Sequence, residues 1–280
     1  MKAAVEMLRG FGLAVVTGGS SGIGKRFLTT IREANPKVRH CNLSRAKPGH
    51  SDELAHFTCD LADAAARGAV FAEVAAWAAS VDPGRMLLIN NAGFGTIGPF
   101  PEPKMRQHGE MIAVNIAAMV ELTGTLLPEL RRRGGAIINV ASTAAFQPMP
   151  GMQTYAATKS FVVNWSVALA HELAPAGVQV QALCPGPTRT DFGRRAGFDG
   201  HVSSALAHDV DRVVATSFRA LRRGRVVAVP GVVNGVAAWI ARRLPLRLAA
   251  VVAARTLRRT GARGAGASVP SPREGTGGDA

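Results

Sequence analysis

The chain has 280 residues, 47% of them hydrophobic, and a formal net charge of +14. That length suits one large α/β domain or two small ones, with enough apolar residues for a substantial core. Three widely spaced cysteines, Cys41, Cys59 and Cys184, form no CxxC and stand near no histidine pair, which argues against a disulfide framework and any metal site and for buried thiols in a reducing compartment.

In chain order, "MKAAVEMLRGFGLAVVTGG" carries Glu6 and Arg9 ahead of a short apolar run that ends in glycines, unlike a secretory signal. No stretch of 18 uninterrupted apolar residues occurs, so no spanning helix is expected and the cytoplasm is the expected location. "LAVVTGG" (13–19) reads as a strand and 22–35 as the helix after it. "VRHCNLS", "LAHFTCDL", "RMLLINNAG", "GAIINVAS", "VQVQALCPG" and "RVVAVPG" (225–231) are further short runs ending in polar or glycine residues. Helix-length segments at 64–80, about 107–132 and 154–174 separate most of them. Near-continuous apolar strands alternating with amphipathic helices predict an α/β fold, a doubly wound seven-stranded parallel sheet filling a domain of residues 1–231. The crossover "RAKPGHSDE" after Ser44 is too short for a full helix. Sites in such sheets lie at the carboxyl ends of the strands.

"TGGSSGIG" joins the first strand to the first helix. Gly18, Gly22 and Gly24, with Ser20, Ser21 and Ile23 between them, suit a backbone that turns tightly against a pyrophosphate at a helix N-terminus. A dinucleotide site of this type usually has an acid after the second strand to hold the ribose hydroxyls. Here Ser44 and Arg45 stand there, a hydroxyl and a guanidinium that welcome a 2′-phosphate, so NADP(H) is favoured over NAD(H). Asp60 is placed for the adenine amino group with Leu61 packing nearby, and in "NNAG" Asn91, Ala92 and Gly93 are placed for the cofactor's ribose.

Tyr155 is the only tyrosine and Lys159 the last lysine, and at i and i+4 they share a helix face. The ammonium is expected to favour the phenolate, lowering the phenol's pKa and making Tyr155 a general acid for a carbonyl or base for an alcohol. Ser142 ends the fifth strand, where its hydroxyl either orients a substrate oxygen or caps the strand. Asn115, mid-helix in "MIAVNIAA", either bonds a water that connects Lys159 to solvent or is a packing polar residue.

With these motifs in this order, the chain resembles a classical short-chain dehydrogenase/reductase: a TGxxxGxG loop (Gly18, Gly22, Gly24), NNAG (Asn90 to Gly93) and the set Asn115, Ser142, Tyr155 and Lys159. "PGPTRTDF" (185–192) resembles the family's segment over the nicotinamide, with Pro185, Gly186 and Thr188 in contact. The resemblance runs from about residue 11 to 231. It implies hydride transfer between NADP(H) and a carbonyl or secondary alcohol, Lys159 on the nicotinamide ribose, and homo-oligomers paired through 107–132 and 154–174. A substrate loop at about 189–222, with Phe192, Phe198, Leu206, Phe218 and several arginines, would suit a lipophilic ketone or a 3-oxoacyl thioester.

Other readings are a non-catalytic dinucleotide sensor or scaffold, which the presence of both Tyr155 and Lys159 disfavours, and a nucleotide-sugar epimerase, which the GIG form of the loop and the modest length disfavour. From Arg212 to Thr260 there are eleven arginines and no acid. No aromatics are interleaved there in a reading module, so nucleic-acid binding is not expected. Within an extension at 232–260, Leu246, Ala250, Ala253 and Leu257 form a stripe opposite Arg247, Arg255, Arg258 and Arg259. Such a helix lies on an anionic membrane or docks on its own domain or a second subunit. Residues 261–280, rich in Gly, Ser and Pro, read as a disordered tail.

Overall fold

The computed structural model describes residues 2–49, 54–81, 84–101, 105–197 and 207–259. Seven parallel strands form one sheet in the order β3-β2-β1-β4-β5-β6-β7. They are β1 (Phe11–Thr17), β2 (Arg39–Ser44), β3 (Ala55–Thr58), β4 (Arg85–Asn90), β5 (Gly135–Val140), β6 (Val178–Leu183) and β7 (Val227–Ala228). Successive side chains of a strand point to opposite faces. Accordingly Leu13 and Val15 of β1 pack on one layer of helices while Ala14 and Val16 pack on the other.

The first layer contains α1 (Lys2–Leu8), α2 (Gly22–Ala34) and α8 (Val210–Arg222), with Phe27, Ile31, Val213 and Phe218 buried against the sheet. Phe27 and Phe218 meet edge to face at 5.6 Å. The second layer contains α3 (Ala64–Ser80), α5 (Ala118–Arg133) and α6 (Gln153–Leu173). Asp63 starts α3 by accepting from the Ala65 and Ala66 amides. Leu122, Leu126 and Leu130 bury one stripe of α5, and buried Arg67 of α3 forks onto the Glu121 carboxylate of α5 at 2.8 and 2.9 Å. The helical run 105–133 is long and apolar enough to cross a membrane, but this stripe belongs to the core. Cys41, Cys59 and Cys184 are buried free thiols.

The helix expected at 107–132 is present as the run 105–133, made of α4 (Met105–Ile112), a π-helical turn at Ala113–Ala117, and α5. Other expectations need correction. β7, at the sheet edge, keeps only Val227–Ala228 of its expected seven residues, and Pro230 has no amide to extend its ladder. The expected substrate loop at 189–222 is largely helical, as α7 (Phe192–Ala196) and α8. Phe218 is a core residue of α8, unable to line a pocket; Phe198 and Leu206 lie outside the described residues, as does the tail at 261–280. After β7 come α9 (Val232–Ala241) and α10 (Leu246–Arg259). On α10 the buried residues are Ala249, Ala253 and Leu257, while Leu246 is exposed, so the stripe expected from Leu246 and Ala250 is rotated and docks on the chain's own domain.

Candidate active site

β1 has β2 on one side and β4 on the other, so the chain leaves the sheet in opposite directions there and a crevice opens at the carboxyl ends. The loop after β1 fills one side of it. Gly18 (φ +68°) and Gly22 (φ +53°) adopt left-handed backbone that other residues resist. The Gly18 amide donates to Leu43 O at 2.8 Å. The Gly19 amide donates to Asn42 Oδ1 at 2.7 Å. The Asn91 Nδ2 donates to Thr17 O and Gly18 O at 2.9 and 3.1 Å. A Cβ on Gly24 would collide with the Gly18 carbonyl and the Asn91 amide. Ser20 and Ser21 are half-buried, the Ser21 side chain makes no cap to α2, and Ile23 packs on the core. An open helix N-terminus over a backbone cradle fits a pyrophosphate.

Along the rim, Ser44 Oγ donates to Ala46 O and accepts from Asn42 Nδ2, both at 2.8 Å. Arg45 is exposed. Asp60 Oδ1 accepts from the Ala62 amide at 3.0 Å, and Leu61 is buried. Ala92 donates its amide to Thr17 Oγ1. The Thr188 hydroxyl donates to Gly186 O at 2.9 Å, and Pro185 O accepts from the Thr143 amide.

The π-helical turn carries Asn115. Its Oδ1 accepts from the Phe94 amide, and its Nδ2 donates to Phe94 O and Thr158 Oγ1, at 3.0–3.1 Å. The amide thus fixes the strand-following loop, and the side chain holds protein partners where a water relay was one expectation. Asn115 and Lys159 flank Gly93, whose Cβ would lie 2.9 Å from Asn115 Oδ1 and 3.2 Å from Lys159 Nζ. Lys159, 5% exposed, donates to Val140 O at 2.8 Å. Tyr155 is 7% exposed and lies close enough to the Ser142 side chain for that hydroxyl to favour the phenolate, while Ser142 Oγ accepts from the Ala144 amide.

The electrostatics differ from expectation. Burial pushes the Tyr155 phenol up to about 12, against a smaller downward pull from Ser142. Burial also brings the Lys159 ammonium down to about 8. The ammonium sits 5.8 Å from the centroid of the Tyr155 ring and is engaged with Val140 O, so desolvation outweighs its attraction for the phenolate.

An apolar cluster surrounds this group: Met111, Met152 and Leu257 are buried with Tyr155, and Phe94, Ile97, Met149 and Phe192 pack against them. Phe192 tilts over the Tyr155 ring at 5.5 Å. Sequence reasoning missed Asn42, Thr158 and the contribution of α10. A fully buried asparagine inside "VRHCNLS" is the signal that would have exposed the first.

The family model of the short chain dehydrogenases matches residues 12–199, covering the sheet through β6 and every residue of this cluster except Leu257. The chain belongs to the short-chain dehydrogenase family. D-threitol dehydrogenase of Mycolicibacterium smegmatis is 32% identical over 205 residues, which is 69% of this chain and 76% of that relative. Acetoacetyl-CoA reductase of Rhizobium meliloti is 32% identical over 187 residues, 65% of this chain and 76% of that one. A short-chain dehydrogenase from Sphingobium yanoikuyae, solved with NADPH, superposes with a TM-score of 0.68 at 28% identity, over 84% of this chain and 97% of that chain. This short-chain dehydrogenase is therefore an NAD(P)-dependent oxidoreductase of small molecules, from a family whose members are commonly oligomers. Gly24→Ala is expected to weaken its dinucleotide binding at least about tenfold, equivalent to ~1.4 kcal/mol, by forcing α2 away from β1. Calorimetric titration checks this, and unchanged affinity would remove the loop from the binding site.

Proposed function

We propose that this chain is an NADP(H)-dependent carbonyl reductase or alcohol dehydrogenase for a lipophilic ketone or 3-oxoacyl thioester. The contact between Ser142 and the Tyr155 phenol, set in an apolar cluster at the strands' carboxyl ends, carries the reading. The bound nicotinamide supplies or accepts the hydride. Tyr155 donates the proton that the substrate oxygen gains in reduction, or removes it in oxidation, and Ser142 orients that oxygen. Lys159 binds the nicotinamide ribose, with Asn115 fixing the loop beside it. Gly18, Ser20, Ser21, Gly22, Ile23 and Gly24 hold the pyrophosphate. Asn91, Ala92 and Gly93 border the ribose, Asp60 and Leu61 the adenine, and Pro185, Gly186 and Thr188 the nicotinamide.

Phe94, Ile97, Met149 and Phe192 favour a lipophilic substrate over a polyol, and the acetoacetyl-CoA reductase among the relatives supports a thioester. Among the described residues Arg45 has no hydrogen-bond or ion-pair partner, and Lys47 lies two positions on. Because the Ser44 hydroxyl already bonds Ala46 O, the 2′-phosphate contact rests on Arg45. Exposed Ile112, Phe161 and Val167 suit pairing of two copies through α4 and α6, and three reduced thiols suit a cytoplasmic setting.

The reading is tested by assaying ketones, secondary alcohols and 3-oxoacyl thioesters with each cofactor. Apolar ketones or thioesters should be the best substrates, and Arg45→Glu should weaken NADP(H) at least about tenfold while sparing NAD(H), since a hydrogen bond to a charged group is worth ~1.5–3 kcal/mol. Turnover of polyols alone, or equal loss of both cofactors, contradicts it.

A further inference from the structure

We propose that α9 and the outward side of α10 form a docking face for an anionic lipid bilayer. The inward side of α9 consists of buried Asn234 and Ala238. Its outward side carries Val232, Val236, Trp239 and Ile240 at i, i+4, i+7 and i+8, with Val233 beside them, and all are exposed: Val232 by 79% and Trp239 by 57%. At ten residues the helix is about 15 Å long, half of what spanning needs, so it suits lying in the plane of an interface. α10 continues the surface. While Ala249, Ala253 and Leu257 hold it to the domain, Leu248, Val251 and Val252 face outward.

Cations rim this apolar surface. Arg242, Arg243, Arg247 and Arg255 are exposed, and no acid occurs anywhere between Arg212 and Thr260. The Arg243 guanidinium stacks on the Trp239 ring 3.8 Å from its centroid. A tryptophan with a cation over its face suits the headgroup layer, where one end of the pair is apolar and the other wet.

Charge decides the occupant. A second copy seated on the same face would oppose arginines with arginines and offer no carboxylate in return. Residues 260–280 contain a single large apolar side chain, Val269, too little to cover those exposed on α9 and α10. Acidic headgroups complement the rim and acyl chains accept the apolar centre. Through Leu257, which packs in the cluster around Tyr155, the same α10 that faces lipid also walls the substrate chamber.

The test is co-sedimentation of the full chain with vesicles of equal parts phosphatidylcholine and phosphatidylglycerol, or of phosphatidylcholine alone. Binding is expected only to the anionic vesicles and should fall as salt is raised. The double variant Val236→Glu, Trp239→Glu should bind at least tenfold more weakly, and Arg247→Ser, Arg255→Ser roughly fivefold more weakly per arginine. All four side chains are exposed, so activity and melting temperature should stay at wild-type values. No sedimentation with anionic vesicles, or sedimentation unchanged in both variants, overturns the proposal. So does a smaller species for the glutamate variant in size-exclusion chromatography without vesicle binding by the parent, which would mean that another copy covers the face.

Discussion

Tyr155→Phe is expected to lower turnover by about 10²–10⁴-fold and to leave dinucleotide affinity within about twofold. Only the hydroxyl is removed, while the ring keeps its packing on Phe192 and Gly95. The direction of the phenol's shift gives a second readout. Raised from its usual 10 to about 12, the phenol is protonated at neutral pH, so carbonyl reduction finds its proton in place. Alcohol oxidation needs the deprotonated form, and its kcat/KM should rise with pH from about 7 to 10 while that of reduction does not. Since Tyr155 is the only tyrosine, the phenolate absorbance of wild type minus that of Tyr155→Phe titrates this one group directly. A midpoint below 9 without cofactor would overturn the raised pKa, and a loss of activity under threefold would remove Tyr155 from the proposed role.

The second large effect concerns Lys159. Its pKa is lowered from 10.5 to about 8 by burial. Between pH 8 and 10.5 the unfolded chain therefore binds a proton that the folded chain does not, and stability rises with pH across that window. Below pH 8 the folded protein carries the whole penalty, at most about 3 kcal/mol at ~1.4 kcal/mol per pH unit. Lys159→Met removes the ammonium at nearly constant length and leaves Val140 O without its donor, which costs about 1–2 kcal/mol in return. The cofactor-free variant should accordingly be about 1–2 kcal/mol more stable than wild type at pH 7 by urea denaturation, with turnover reduced at least about a hundredfold. The advantage should fade as pH rises from 8 to 10.5. A variant less stable at pH 7, or an advantage that does not depend on pH, refutes the argument. Here a side chain proposed to bind the cofactor lowers the stability of the fold that holds it.

The sheet was readable because its strands are short apolar runs closed by polar or glycine residues, and α3 because a helix-length segment at 64–80 separates two of them. The site residues fall on one rim because strands of a parallel sheet end together, which sets Gly24 against Asn91 and Ser142 beside Tyr155. Three things were hidden. The π-helical turn at Asn115 leaves no mark on a pattern averaged over whole turns. The balance between burial and attraction at Tyr155 depends on where the Lys159 ammonium points, and Val140 O takes it. The rotation of α10 depends on one small residue: Ala249, outside the expected stripe, is buried beside Ala253 and Leu257, whereas hydrophobicity alone put Leu246 in its place.

Leu257 gives synthesis a direction. The strands and Tyr155 are all translated by residue 228, but Leu257, which completes the cluster holding Met152 and Tyr155, arrives with the final turn of α10. At ~5–20 residues per second a nascent chain holds all seven strands and an incomplete cluster around Tyr155 for a few seconds before that leucine leaves the ribosome. During that interval the arginine-rich helices are the part still emerging, so the face proposed to dock on lipid and the wall beside Tyr155 are completed together.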